Sequence, residues 1–383
     1  MNKVTQLFWP FLLLSAQVMC QDIDAYNPLR VIIKDSTLYE AILKDSIKVP
    51  AISSGLSVHY RPSKILKYPV RIALDPGHVA SNWEEAKIEG HYIENKRENI
   101  KFYESELTMA TALLLKERLE GNGFLVYMTR RWGEGAFGVS YTDWYKREFK
   151  RFAANDLTSG IIDSSKYQQL MKASKKEVFE SYYRVLDIQE RARKINLFKP
   201  DISLIIHYNA SEFDSDKVNS APITDFNYSV FFVPGGFTIT ELSSPTQEHD
   251  VFRLVSTNDL DRSIKLANYV SNEFEINFKV PSLTEQKAER WAQDIPWLNK
   301  YVSPTPNPFV LGRNLLLTRL IQGPLVYGEP FLQNNRYFIT ELNRKDLNVY
   351  GLKVSPLIQT AANSYYLGIL RYLKEGKFSV IFE

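Results

Sequence analysis

The strongest constraint on the fold comes from a strand, a helix and a second strand that follow one another between residues 70 and 128. Residues 70–75 form an apolar run that stops at Pro76 and Gly77, two residues of the kind that break strands. From Glu104 onward, apolar residues recur at near 3.6-residue spacing up to Gly121, which predicts a helix. Residues 124–128 predict the second strand. Strand, helix and strand in this order are typical of a βαβ unit, which implies a parallel pair in a covered sheet.

The rest of the chain continues this alternation. The later patterns are a helix near 182–197, a strand that ends at His207, a strand at 228–233, a helix at 260–274 and short apolar runs at 314–318 and 324–328. One face of the C-terminal helix carries Ile358, Ala361, Ala362, Tyr365, Ile369 and Tyr372. Residues 79–103 and 280–308 are predicted to be loops. We predict an α/β fold, a twisted and mostly parallel sheet covered by helices on both faces, with inserted helical and loop segments.

Residues 1–20 have the pattern of a secretory signal peptide. Lys3 precedes an apolar run of about ten residues, which is too short to span a membrane, and small residues follow. We predict cleavage after Cys20 and export to the periplasm or the medium. Anchoring as a lipoprotein through Cys20 is the alternative, and it is disfavoured because Met19 is bulky where such a signal has a small residue.

The remaining chain is predicted to hold an N-terminal extension, residues 21–69, and one main domain, residues 70–383. The main domain carries insertions near 132–188 and 211–323. The first insertion is rich in Lys, Glu and aromatic residues, and part of it is predicted to be helical. Its aromatic residues either pack the insertion against the domain, which we favour, or form a lid or substrate wall beside a site.

Charge and cysteine content restrict the possible functions. The chain has 47 basic and 44 acidic residues, a formal charge of +3, and no run of Lys or Arg. We therefore predict no nucleic-acid partner. Cys20 is the only cysteine, so a chain cleaved after it has neither disulfides nor thiolate ligands. A metal site in this chain must use histidines and carboxylates.

Four such residues lie where a strand ends or a helix begins. In an open α/β sheet, ligands bind beyond the carboxyl ends of the strands. His78, His207 and Glu329 lie at such ends, and Glu104 begins the helix after the first strand. Two histidines and a carboxylate, with water in the fourth position, form a catalytic zinc arrangement, and a second glutamate can act as general base. The residues alone also allow hydrogen-bonded structural histidines and a Glu104 that stabilises the helix dipole.

Several motifs, in order along residues 70–373, resemble those of the zinc-dependent N-acetylmuramoyl-L-alanine amidases of bacterial cell-wall turnover. They lie at Leu74–His78, Glu104–Arg130, Gln189–Asn196, Ile205–Ala210 and Val326–Asn334. The first is similar to the family's Asp-Pro-Gly-His motif, and the last to its closing motif with a catalytic glutamate before Phe-Leu-x-Asn. Each motif alone is weak, but their common order is specific.

The resemblance implies a function and a role for each site residue. His78, Glu104 and His207 would bind Zn²⁺, and Glu329 would act as the catalytic base. The substrate would be peptidoglycan, cut at the amide between N-acetylmuramic acid and L-alanine of the stem peptide. Asp75 and Asn209 are expected to orient the ligands.

The sequence also departs from the family pattern. Val79, Ala80 and Ser81 follow the first histidine where the family usually has glycines. The second ligand is the least secure assignment, because the segment after His78 also offers other carboxylates and a histidine: Glu84, Glu85, Glu89, Glu94 and His91. Glu104 is preferred because its register to Arg130 needs no gap.

Two other functions remain open at this point. The long insertions could shape a groove for another exported amide or peptide, with the zinc retained. A non-catalytic wall-binding protein could use the same fold, although the retained Glu329 argues against it. The sequence identifies neither an activator protein nor an oligomeric state, and only residues 21–69 are left over for a separate wall-binding role.

Overall fold

The computed structural model describes residues 28–34, 69–211, 223–238, 240–241, 245–284 and 301–375. The predicted signal peptide and most of the predicted N-terminal extension lie outside these residues. Within the described part of the chain, no helix combines the length and the apolar character needed to cross a membrane.

The described helices and strands are numbered along the chain. The helices are α1 (Pro28–Ile32), α2 (Trp83–Glu89), α3 (Glu104–Glu120), α4 (Tyr141–Arg147), α5 (Phe149–Thr158), α6 (Ser164–Lys172), α7 (Lys175–Val178), a π-helix (Phe179–Tyr183), α8 (Arg184–Phe198), α9 (Pro245–Ser256), α10 (Asp259–Phe278), α11 (Leu316–Leu320), α12 (Arg336–Leu342) and α13 (Leu357–Glu375). The strands are β1 (Arg71–Pro76), β2 (Tyr92–Asn95), β3 (Ile100–Tyr103), β4 (Leu125–Met128), β5 (Ile202–Ile206), β6 (Val230–Pro234), β7 (Val302–Pro304), β8 (Val310–Arg313), β9 (Leu325–Glu329), β10 (Leu347–Val349) and β11 (Leu352–Val354).

The chain divides into two compact units. Among the described residues, the first unit, called the site unit here, lies within residues 71–227 and 329–363, and the second lies within residues 1–70, 228–328 and 364–383. In the site unit the strand order is β4-β1-β5 and both pairs are parallel. Helix α3 packs on all three strands and α8 packs on β1. The predicted βαβ unit is therefore confirmed, with its helix between two adjacent parallel strands.

The insertion in the site unit forms its own core. Helices α4 to α7 and the π-helix bury a cluster that includes Tyr141, Trp144, Phe149, Tyr182 and Tyr183. Trp144 is fully buried, and its ring lies 4.6 Å from that of Tyr183. The same cluster includes Val79, and Ile88 packs on it, although both lie outside the insertion. The favoured interpretation, that these aromatic residues pack the insertion against the domain, is confirmed.

The second unit also contains parallel strands. The strand order is β9-β6-β8-β7, with β6 and β8 parallel and β7 antiparallel to β8. Helix α10 packs on β6 and β8. The predicted α/β class with a mostly parallel sheet is confirmed, and so is the apolar face of the C-terminal helix, whose six predicted residues are all buried.

The loop prediction for residues 79–103 was wrong. This segment contains α2 and an antiparallel hairpin formed by β2 and β3. The side chain of Asn82 accepts hydrogen bonds from the first turn of α2, and Gly90 ends the helix in the left-handed conformation. The helix is short and mostly polar, so it lacks the apolar periodicity on which the prediction relied.

Candidate metal centre

Adjacent parallel strands bring the two predicted histidines to one edge of the site unit. Strands β1 and β5 pair in register up to Pro76 opposite Ile206, and the amide of Gly77 donates to the carbonyl of Ile206 over 2.9 Å. His78 and His207 follow directly. His78 has φ of 61°, a left-handed conformation that is uncommon for residues other than glycine and is often found at functional sites.

Three donor atoms of His78, Glu104 and His207 form a small triangle. The Nε2 atom of His78 lies 3.0 Å from Oε1 of Glu104 and 3.1 Å from Nδ1 of His207. The third side, from Nδ1 of His207 to Oε1 of Glu104, is 3.0 Å. Around zinc with bonds of about 2.0–2.1 Å, tetrahedral donors lie about 3.3 Å apart. Two imidazole nitrogens and a carboxylate oxygen at this spacing suit a small tetrahedral cation.

His91, the alternative ligand, lies beside the same centre. Its ring is 3.9 Å from the ring of His78, and its Nδ1 is 3.6 Å from Oε2 of Glu104. Donor atoms of His78, His91 and Glu104 all lie within 4.8 Å of one another, so this group could also hold a metal ion. The side chain of His91 is 31% exposed, against 3% for Glu104. His91 is thus the more open and more widely spaced neighbour of the centre.

Glu89, at the end of α2, holds the far side of the first histidine. Its Oε1 lies 3.0 Å from Nδ1 of His78, and its carboxylate accepts hydrogen bonds from the amides of Val79 and Ala80. A carboxylate on one imidazole nitrogen directs the lone pair of the other toward a metal. Glu89 therefore leaves Nε2 of His78 for the triangle. Glu89 was named only as an alternative ligand, and the structure instead places it behind the histidine.

Helix α2 also contacts the insertion, one turn earlier. Oε1 of Glu85 accepts a hydrogen bond from the amide of Thr142 at the start of α4 (2.8 Å), and Oε2 accepts from the hydroxyl of Ser81 (2.6 Å). Helix α2 packs on α7 and on the π-helix. The same short helix therefore touches both the insertion, through Glu85, and the first histidine, through Glu89.

Two buried arginines hold the turn between β1 and His78. Arg130 donates to the carbonyls of Pro76 (3.0 Å) and Gly77 (2.8 Å). Arg191 donates to the carbonyls of Pro76 (2.9 Å) and His78 (2.8 Å). These bonds satisfy the carbonyls that the end of the strand leaves unpaired. They fix the backbone that carries the first histidine.

Gly77 provides the space for the second histidine. A Cβ atom added at Gly77 would lie 2.3 Å from ring atoms of His207. The imidazole of His207 therefore lies directly on the backbone of the turn. Any larger residue at position 77 would displace the ring.

The carboxylate of Glu104 is held at both oxygens. Oε1 accepts a hydrogen bond from the amide of Tyr208 (2.9 Å), and Oε2 accepts one from Nε2 of Gln333 (2.9 Å). The same Gln333 nitrogen donates to the carbonyl of Tyr208 (2.8 Å). Sequence reasoning placed Gln333 in a motif but gave it no role, because nothing in the sequence shows that it reaches Glu104.

The close packing of these charges shifts their pKa values in opposite directions. Burial lowers the pKa of His78, but the charges of Glu104 and Glu89 outweigh burial and raise it to about 10. Burial lowers the pKa of His207 to about 4, and the charge of His78 acts in the same direction, while the hydrogen bond that Glu104 accepts from His207 opposes both. Burial raises the pKa of Glu89, yet His78 outweighs it and the result is about 2. These directions favour the charged form of His78 over that of His207.

The other predicted site residues are placed as follows. Glu329 is the last residue of β9 and is half-buried. Asp75 is fully buried and bonds to Thr129 and Arg191, so its contacts support the turn. The side chain of Asn209 accepts from the amide of Ala210 (2.8 Å). The predicted roles of these three residues in catalysis and ligand orientation stay predictions.

Comparison with known proteins identifies relatives. The sequence model of a family described as N-acetylmuramoyl-L-alanine amidase matches residues 72–335. No curated protein matches the chain. Similar solved structures include Cwp6 from Clostridium difficile, at 15% identity and a TM-score of 0.39, covering 80% of this chain and 29% of that one.

Two further solved structures match over nearly their whole length. The CwlD amidase from Clostridioides difficile, solved with the GerS lipoprotein, is 15% identical with a TM-score of 0.41, covering 80% of this chain and 99% of that one. The amidase Ami1 from Mycobacterium smegmatis is 13% identical with a TM-score of 0.42, covering 82% and 100%.

Proposed function

The chain belongs to the N-acetylmuramoyl-L-alanine amidase family, and we propose that it is a zinc-dependent hydrolase of peptidoglycan. The bond cut is the amide between the lactyl group of N-acetylmuramic acid and L-alanine of the stem peptide. The main observation in support of zinc is the triangle of donor atoms from His78, Glu104 and His207, with sides of 3.0 to 3.1 Å.

His78, Glu104 and His207 would hold the zinc, which when bound supplies Lewis acidity toward water and the amide carbonyl. Glu329 takes a proton from the attacking water as the water oxygen adds to the carbonyl carbon. Glu329 then passes that proton to the amine of L-alanine as the carbon–nitrogen bond breaks. The products are a free carboxylate on the sugar and a free peptide. The position of Glu329 at the end of a strand supports this role.

Export supports the same substrate. Peptidoglycan lies outside the cytoplasm, and residues 1–20 carry the pattern of a signal peptide. We propose that the mature protein is periplasmic or secreted. A lipid anchor on Cys20 is the less favoured form.

The function is tested with purified protein and intact sacculi. We expect about one zinc per chain, bound at the donor triangle, and release of free stem peptides. Glu329→Gln should keep the fold and the zinc but lower the rate by roughly 10²–10⁴-fold, the usual contribution of general acid–base catalysis. Zinc binding without peptide release would indicate another amide substrate. A Glu329→Gln protein with full activity would remove the assigned base.

The choice between His207 and His91 as third ligand has its own test. We expect His207→Ala to lose zinc, because it removes one corner of the triangle. His91→Ala should bind zinc within a few-fold of wild type, because its nitrogen lies 3.6 Å from the other carboxylate oxygen. Zinc affinity is measured by competition with a chromophoric chelator. The reverse result would assign the site to His78, His91 and Glu104.

A further inference from the structure

We infer that Gln333 is a positioning residue that makes Glu104 bind the metal through one oxygen only. The inference rests on the zinc of the proposed function. It concerns a residue that is fully buried and that makes two hydrogen bonds with one amide nitrogen, to Oε2 of Glu104 and to the carbonyl of Tyr208.

The two oxygens of Glu104 have different surroundings. Oε1 accepts from the amide of Tyr208 and lies 3.0 Å from a nitrogen of each of His78 and His207. Oε2 lies 2.9 Å from Nε2 of Gln333 and 3.6 Å from Nδ1 of His91. A carboxylate free to rotate can offer a metal one oxygen or both. Gln333 occupies the second oxygen and so favours binding through Oε1 alone.

This choice affects the coordination number of the metal. With one donor from each of His78, Glu104 and His207, a tetrahedral ion keeps a fourth position for water, as catalytic zinc sites do. A Glu104 that bound with both oxygens would compete for that position. Gln333 thus keeps the site open for the water that the hydrolysis needs.

The backbone of Gln333 is itself bonded to the segment that follows β5. Its backbone amide donates to the backbone carbonyl of Asn209 (2.7 Å), and Leu332 pairs with Asn209 in a parallel bridge. Tyr208 is anchored in turn, because its hydroxyl lies 2.5 Å from that of Thr111 on α3, the helix that Glu104 begins. Gln333 follows Glu329 by four residues, so one short segment carries both the proposed base and the group that orients a ligand.

The test compares two buried amides that are neighbours in sequence. Gln333→Met keeps the approximate size and removes both hydrogen bonds. Gln333→Asn is the second variant, since it keeps an amide but shortens it by one methylene. The matched control is Asn334→Leu: Asn334 is equally buried, but its amide bonds to Ser211 instead of a ligand.

We expect the Gln333 variants to bind zinc about 10–100-fold more weakly, the usual effect of losing a group that orients a ligand. The absorption spectrum of the cobalt(II)-substituted protein should change as well, because the coordination number changes. Asn334→Leu should lower the melting temperature about as much as the Gln333 variants do, while its zinc affinity and cobalt spectrum stay those of wild type.

Affinities of both Gln333 variants within three-fold of wild type, with an unchanged cobalt spectrum, would overturn the inference. An equal loss in Asn334→Leu would also overturn it, since the cause would then be general loosening of the segment. If wild type binds zinc but releases no peptide, the proposed function fails while the affinities still decide the role of Gln333. If wild type binds no zinc, both fail.

Discussion

The two strand ends that carry the histidines look alike in sequence and are built differently. At the end of β1, charged side chains from other elements hold the backbone and the ring: Arg130, Arg191 and Glu89 all bond to residues 76–78. At the end of β5, the ring of His207 lies on the bare backbone of Gly77. The backbone and the ring of the first histidine are held by these three side chains, whereas the ring of the second, besides its bond to Glu104, needs the space above Gly77. The two ends should therefore fail under different substitutions.

Filling the space under His207 gives the largest expected effect. In Gly77→Ala the new methyl group would overlap the imidazole at 2.3 Å, so the ring must leave the triangle. In competition with the chromophoric chelator, we expect no zinc binding above background. We also expect a lower melting temperature. Gly121→Ala, at the end of α3 and in a right-handed helical conformation, is the control. Normal zinc affinity in Gly77→Ala would show that the ring position is not decided by space.

Removing charge behind His78 should have a smaller effect. Glu89→Gln keeps the size of the side chain but weakens the bond to Nδ1, and loss of such a partner typically costs about 10–100-fold in metal affinity. Glu84→Gln, on the same helix but exposed and paired with Lys87, should bind zinc as wild type does. If both variants bind zinc equally well, the first histidine does not depend on its carboxylate.

The smallest effect is expected in the metal-free protein, where the pH dependence of stability should distinguish His78 from His207. The pKa of His78 is about 10 when folded against 6.5 ordinarily. The stability it contributes is full below about 6.5 and is lost as the pH rises toward 10. The pKa of His207 is about 4 when folded. Below 6.5 the unfolded chain takes up this proton first, so stability falls as the pH drops toward 4.

Melting temperatures recorded with a chelator from pH 4 to pH 10 should show both losses. His78→Gln should remove the alkaline loss and leave the acidic one, and His207→Gln should do the reverse. A single variant that removes both losses would show that the two rings titrate as one group.

The strand ends were predictable because an apolar run and a Pro-Gly pair are local signals. The partners behind them were not. Glu89 reaches His78 from α2, a short polar helix in a segment predicted to be a loop, although Asn82 before it and Gly90 after it are the usual signals for a helix start and end. Gln333 reaches Glu104 across 229 residues of sequence. Tertiary contacts of this kind leave no trace in periodicity or spacing.

Helix α2 is bonded at two points, to the insertion and to His78, so these regions should unfold locally together. Glu85 binds the start of the insertion and Glu89 binds the first histidine, one helical turn apart. Opening of the insertion should therefore disturb α2 and, through Glu89, His78, the proposed metal ligand. In hydrogen-exchange terms, the amides of Val79, Ala80 and Thr142, which all donate to these two carboxylates, should become exposed together as one cooperative unit. Their exchange rates would report the integrity of the proposed metal centre without any assay of catalysis.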